Sequence, residues 1–110
     1  MKQFLDEAQS AYLQARGFPA PKSVCKLTLD IDLDTVPHFR YSIGELIDFL
    51  PKKIYDKDED VTASLQITSG WEVFYTTYTD IFYYQRGEEL IDALYMMVIK
   101  LKDKGLIWTN

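Results

Sequence analysis

The apolar pattern between residues 87 and 104 constrains the fold of this chain most. Apolar side chains recur there at the spacing of one helical face, at Leu90, Ile91, Leu94, Met97, Val98 and Leu101. Gly105 is expected to end this helix in a left-handed conformation, with Leu106 packing back on Leu101. Because a helix with one apolar face must bury that face against another layer, the rest of the chain has to supply a partner for it.

Residues 61–85 are expected to form that partner layer as a sheet. The segments 61–68, 71–78 and 81–85 are rich in β-branched and aromatic residues, which favour strands. Two-residue turn signals, Ser69-Gly70 and Thr79-Asp80, separate these segments. The pattern therefore predicts a three-stranded meander beneath the final helix.

The first part of the chain predicts one helix and one strand. Residues 2–16 show helical spacing of apolar side chains, and Gly17 is expected to end the helix near Arg16. Residues 25–34 alternate between apolar and polar side chains with period two, which predicts a half-buried strand.

A second helix is expected after residue 41. Ser42 and Glu45 have the spacing of a capping box, in which each side chain accepts a hydrogen bond from the other residue's backbone N–H. Pro51 disfavours helical geometry at the residue before it, so the helix should be about two turns long. Residues 52–60 are rich in charge and are predicted to form a loop.

These elements define an α+β protein. Their order is α-β-α-β-β-β-α, and a chain of 110 residues has the usual size of one domain. We expect a single domain over residues 1–110, with an antiparallel sheet of three or four strands and the helices packed on one face.

Charge separates the possible partner classes. The net charge is −5, and residues 30–92 carry five basic and fourteen acidic residues, a balance of −9. Nucleic-acid binding draws much of its affinity from Lys and Arg on phosphate, so we expect no nucleic-acid partner. The order α-β-β-β-α after residue 41 is shared with double-stranded-RNA-binding domains, but Glu88 and Glu89 stand where those domains carry lysines. An excess of acidic residues commonly keeps a protein soluble, and it also suits a basic protein partner.

The sequence also indicates a compartment. No stretch approaches the ~18 uncharged apolar residues of a membrane span, and residues 1–20 lack the pattern of a secretory signal. Cys25 is the single cysteine, so no internal disulfide is possible. We expect a cytoplasmic protein with no membrane partner.

Three aspartates give the one candidate metal site. Asp30, Asp32 and Asp34 alternate as in the start of a calcium loop, but Thr35 and Tyr41 stand where that loop needs Gly and a bidentate Glu. A solvated strand face is the favoured interpretation. A divalent-metal-dependent protein or enzyme that uses these carboxylates is the alternative.

Other catalytic patterns are not supported by the sequence. His38 is the single histidine, and nothing in the spacing brings it to Cys25, which is expected to be a buried structural cysteine. No Gly-rich phosphate loop, His-Glu-x-x-His helix, Gly-x-Ser-x-Gly elbow or Cys-x-x-Cys pair occurs, and no cofactor is expected.

Aromatic residues are concentrated between positions 71 and 84. With two-residue turns, one sheet face carries Phe74 and other core residues, and the face opposite the final helix carries Trp71, Tyr75, Phe82 and Tyr84. Aromatic rings among small polar residues are typical of a recognition surface, so these four are the candidate partner-binding residues. Two alternatives remain: the rings pack beneath the first helix, or a longer turn shifts the register.

The second half of the chain resembles a group of phage proteins. The segments that carry the resemblance are 42–47 with Pro51, 65–67, the aromatic strand, and 89–101 with Gly105. Over residues 42–107 the chain looks like small uncharacterised α+β proteins of bacterial phages and mobile elements. This implies an α+β fold and a phage-like setting. We therefore expect a small non-enzymatic accessory or protein-interaction module, such as a modulator of a host protein, that binds a protein partner or a second copy through the aromatic face or the acidic surface.

Overall fold

A computed structural model describes residues 2–25, 38–57 and 60–107, and it has an α+β fold. In chain order the elements are α1 (Glu7–Ala15), β1 (Val24–Cys25), β2 (His38–Phe39), α2 (Ile43–Phe49), β3 (Lys53–Asp56), β4 (Val61–Ile67), β5 (Glu72–Thr76), β6 (Ile81–Arg86) and α3 (Leu90–Asp103). The fold class is as expected, although β2 and β3 are absent from the predicted order.

The main sheet has four antiparallel strands in the order β3-β4-β5-β6. Its first strand corrects the predicted loop over residues 52–60. Ile54 of β3 is buried opposite Ala63 of β4, while the residues on either side of it are exposed. One buried apolar side chain anchors this short edge strand. The charged residues around it leave no apolar alternation from which the strand could be predicted.

A separate two-stranded sheet joins β1 to β2, with Val24 opposite Phe39 and Cys25 opposite His38. The predicted strand over residues 25–34 lies almost wholly outside the described residues. So do Asp30, Asp32 and Asp34.

Helix α1 starts later than expected and ends as expected. The predicted start at residue 2 is wrong because Asp6 caps the helix: Gln9 N donates to Asp6 Oδ1 at 2.7 Å and Asp6 N donates to Gln9 Oε1 at 3.1 Å. Phe4 instead forms a β-bridge with Ser42. Gly17 follows the helix with φ of 94°, the left-handed conformation that glycine adopts without strain.

The predicted capping box opens α2. Glu45 N donates to Ser42 Oγ and Ser42 N donates to Glu45 Oε1, both at 3.2 Å. The helix ends at Phe49, two residues before Pro51, as its sequence predicts.

Helix α3 is the main cover of the sheet. Its residues Ile91, Ala93, Leu94, Met97, Val98 and Leu101 are all buried, and it packs against β5, β6 and α2. The expected C-terminal motif is present, because Leu106 N donates to Leu101 O at 2.9 Å and Gly105 N to Lys102 O at 3.1 Å. In the described part of the chain, no helix has both the length and the apolar character needed to cross a bilayer.

Helix α1 lies on the same side of the sheet as α3. The rings of Tyr12 and Tyr95 meet edge to face with centroids 6.5 Å apart, and Arg16 forms an ion pair with Asp103 at the end of α3. Among the described elements, α3 therefore packs directly on the four-stranded sheet and α1 and α2 pack against α3, while the sheet face that points away from α3 is left open.

Candidate functional site

The turn between β4 and β5 decides which side chains lie on the open side of the sheet. Thr68 N donates to Glu72 O at 3.0 Å and Trp71 N donates to Thr68 O at 3.2 Å. The loop between Thr68 and Glu72 thus has three residues, and Trp71 ends it with φ of 57°. The predicted two-residue turn is wrong, and Leu65 lies opposite Tyr75 instead of Phe74. A one-residue slip of this kind moves every side chain of the strand to the other face.

Tyr75 is therefore a core residue, contrary to its predicted position on the open side. Its side chain is completely buried, and its hydroxyl donates to the carbonyl oxygen of Pro51 at 2.6 Å. Burial raises the pKa of the Tyr75 phenol. Phe82 lies opposite Tyr75 and packs against the same core, so its predicted position on the open side is also wrong.

Because of a bulge in β6, Tyr84 lies on the open side of the sheet, as predicted. Val73 pairs with Gln85 and Tyr75 pairs with Phe82, so that Phe74 alone faces two residues, Tyr83 and Tyr84. The backbone at Tyr83 accommodates the extra residue by adopting a φ of 55°. After the bulge, Tyr84 points away from the helices. The sequence predicts the same orientation, but from two-residue turns and without a bulge.

Trp71 lies in the β4–β5 loop and not on a strand. It is half-buried, and its carbonyl oxygen accepts a hydrogen bond from Gly87 N at 3.4 Å. The contact ties the loop to the segment that leads into α3. Trp71 is thus at the edge of the sheet, away from the centre of the expected surface.

We define the open face as the strand residues that alternate with the buried ones and point away from α3. They are Lys53, Tyr55, Thr62, Ser64, Gln66, Glu72, Phe74, Thr76, Ile81, Tyr84 and Arg86. No helix of the described residues packs over this face, and Tyr55, Ile81 and Tyr84 keep 52%, 60% and 45% of their surface exposed. The set combines aromatic rings with hydroxyl and amide groups.

The centre of the open face is a preorganised aromatic pair. The rings of Phe74 and Tyr84 stack with centroids 6.1 Å apart and planes 28° from parallel. The Tyr84 hydroxyl donates to the Glu72 carboxylate, which also accepts a hydrogen bond from Thr68 Oγ1 at 3.1 Å. The hydrogen bond from Tyr84 is the main cause that lowers the pKa of Glu72, and the bond from Thr68 adds to it. The Tyr84–Glu72 bond also raises the pKa of Tyr84.

Two further tyrosines extend the exposed aromatic surface. Tyr55 lies at the β3 edge, and its hydroxyl donates to the carboxylate of Asp60. Tyr78 is fully exposed in the β5–β6 turn. That turn is centred on Tyr78 and Thr79 and not on Thr79-Asp80 as predicted, because Thr77 N donates to Asp80 O at 2.9 Å.

A shallow cleft lies between the segment before β1 and α2. It has a volume of about 200 Å³ and is lined by Pro19, Ala20, Lys22, Glu45, Asp48 and Phe49. The Glu45 carboxylate accepts hydrogen bonds from the Ser23 hydroxyl, from Lys22 N at 3.0 Å and from Ser42 N at 3.2 Å. Burial raises the pKa of Glu45, but these hydrogen bonds outweigh it, so the pKa lies below its usual value. The carboxylate thus holds the chain before β1 against α2.

No cluster that could bind a metal ion occurs in the part of the chain described above. There, no three His, Cys, Asp or Glu side chains come together as ligands. The alternative site at Asp30, Asp32 and Asp34 stays a prediction, because these residues lie outside the described ranges.

Comparisons with known proteins give no match: no family model fits the chain, and neither a curated protein nor a solved structure is significantly similar to it.

Phe74, Tyr55 and Glu72 are among the open-face residues that sequence reasoning missed. A signal for Phe74 was present, because Glu72 is two residues before it and so shares its face of the strand. A charged residue at that position indicates the solvent side, whereas the assumed turn length placed Phe74 in the core.

Proposed function

We propose that this chain is a small non-enzymatic interaction module that binds another protein through the open face. The observation that carries the proposal is the stacked pair Phe74 and Tyr84, held beside Glu72 on a sheet face that no described helix covers. Exposed apolar side chains that are contiguous, and not scattered singly, mark interaction sites on protein surfaces. Its composition, with Tyr beside Thr, Ser and Gln, is typical of protein recognition.

Preorganisation supports this role for the aromatic pair. Binding costs free energy when mobile side chains have to be ordered, and Tyr84 is already fixed by its stacking on Phe74 and its hydrogen bond to Glu72. The rings therefore offer contact area at low entropic cost. Rigid aromatic residues of this kind are common among the few residues that dominate a binding interface.

Charge supports a protein partner over a nucleic acid. The open face carries two basic residues, Lys53 and Arg86, and the carboxylate of Glu72 faces Arg86 across the two strands. Together with the net charge of −5, this leaves little positive potential to attract phosphate. A protein partner therefore fits the chain better than a nucleic acid.

The cellular setting is part of the proposal. The resemblance to phage and mobile-element proteins supports a cytoplasmic host protein as the partner, whose activity this chain would modulate. The single cysteine fits a reducing compartment.

A matched pair of tyrosine variants tests the proposal. Tagged wild-type protein, Tyr84→Ala and Tyr12→Ala are used to capture partners from the native cell. The two tyrosines are similarly exposed, at 45% and 42%, but Tyr12 lies on α1, on the opposite side of the sheet. We expect one protein to bind the wild type and Tyr12→Ala and to be lost with Tyr84→Ala.

Circular dichroism of each variant checks that the fold is intact. Gln66→Lys provides a second open-face change, because it places a charge at an exposed position directly opposite Phe74. Capture that is unchanged by both Tyr84→Ala and Gln66→Lys would rule out the open face as the binding surface.

A further inference from the structure

We draw no further inference here: the strongest candidate, self-association through the open face of the four-stranded sheet, belongs to the site already described, and nothing among the described residues shows that a second copy covers it.

Discussion

The Tyr75 hydroxyl donates a hydrogen bond to the carbonyl oxygen of Pro51 at 2.6 Å, and so ties the middle of β5 to the segment that follows α2. The same arrangement occurs at the other end of this helix, where the Tyr41 hydroxyl donates to the carbonyl oxygen of Pro19. Burial, and then the charge of Glu45, raises the pKa of Tyr41 to about 12. Both phenols are therefore neutral hydrogen-bond donors that fix the chain on either side of α2.

Tyr75→Phe separates the hydrogen bond from the ring packing. Loss of the hydroxyl leaves the Pro51 carbonyl without this donor and should cost about 1 kcal/mol of unfolding free energy. Tyr75→Ala also removes a completely buried ring and should cost about 3–5 kcal/mol. Urea denaturation of both variants measures the two losses.

Tyr84→Ala is the control, because it removes the same side chain from the open face of the next strand. We expect it to cost about 1 kcal/mol, the usual contribution of an aromatic pair. If Tyr84→Ala were as destabilising as Tyr75→Ala, the open face would be part of the core.

The register of β4 and β5 can be tested with cysteine pairs in a Cys25→Ser background. Gln66 and Phe74 lie directly opposite each other, so cysteines at these two positions should form a disulfide under mild oxidation. Cysteines at positions 66 and 73 should not, because residues 66 and 73 are on opposite faces. Mass spectrometry after oxidation distinguishes the two pairs, and crosslinking of 66 with 73 alone would restore the two-residue turn.

The ends of α2 and α3 could be predicted from the sequence because their signals are local. The open face could not, because it depends on strand register, which is set by the geometry of the turns. Ser42 with Glu45 and Gly105 with Leu106 act within a few residues, so their motifs are visible in the sequence itself. Strand register depends instead on one backbone angle at Trp71, a bulky residue that rarely adopts positive φ.

The bulge at Tyr83 has the same origin. Positive φ at a tyrosine has no signal in the sequence, yet this one residue returns Tyr84 to the open face after the register shift. Of the four residues expected on the surface, the open face therefore keeps Tyr84 and lacks Trp71, Tyr75 and Phe82, and it gains Phe74.

Two glycines should respond in opposite ways to alanine. Gly105 has φ of 73° and no atom within 4 Å of an added Cβ, so Gly105→Ala tests conformational strain alone and should cost about 1 kcal/mol. Gly44 lies in α2 with its nearest neighbour, Ser42 Oγ, 3.8 Å from an added Cβ. Gly44→Ala should therefore stabilise the protein by about 0.5–1 kcal/mol. Thermal unfolding of both variants measures whether each change raises or lowers the stability. A Gly105→Ala variant as stable as the wild type would contradict the left-handed conformation at the helix end.

The hydrogen bonds of Glu45 should make stability depend on pH. Because they lower its pKa in the folded state below the usual value of a glutamate, the unfolded chain binds more protons than the folded chain in the acidic range. The stabilisation is fully present above the unfolded pKa and is lost as pH falls through the folded pKa. Urea denaturation between about pH 3 and pH 7 should show this loss in the wild type, and Glu45→Gln should reduce it.

Ser23→Ala shows whether the hydrogen bonds cause this dependence. The variant removes one donor to the carboxylate and keeps the charge, so the folded pKa should rise toward its usual value and the pH dependence should shrink, though less than in Glu45→Gln. The remaining donors, which are Lys22 N, Ser42 N and the Ser42 hydroxyl, account for the part that survives. An identical pH dependence in the wild type and in both variants would mean that Glu45 does not hold the chain before β1, because its protonation would then leave the folded state unaffected.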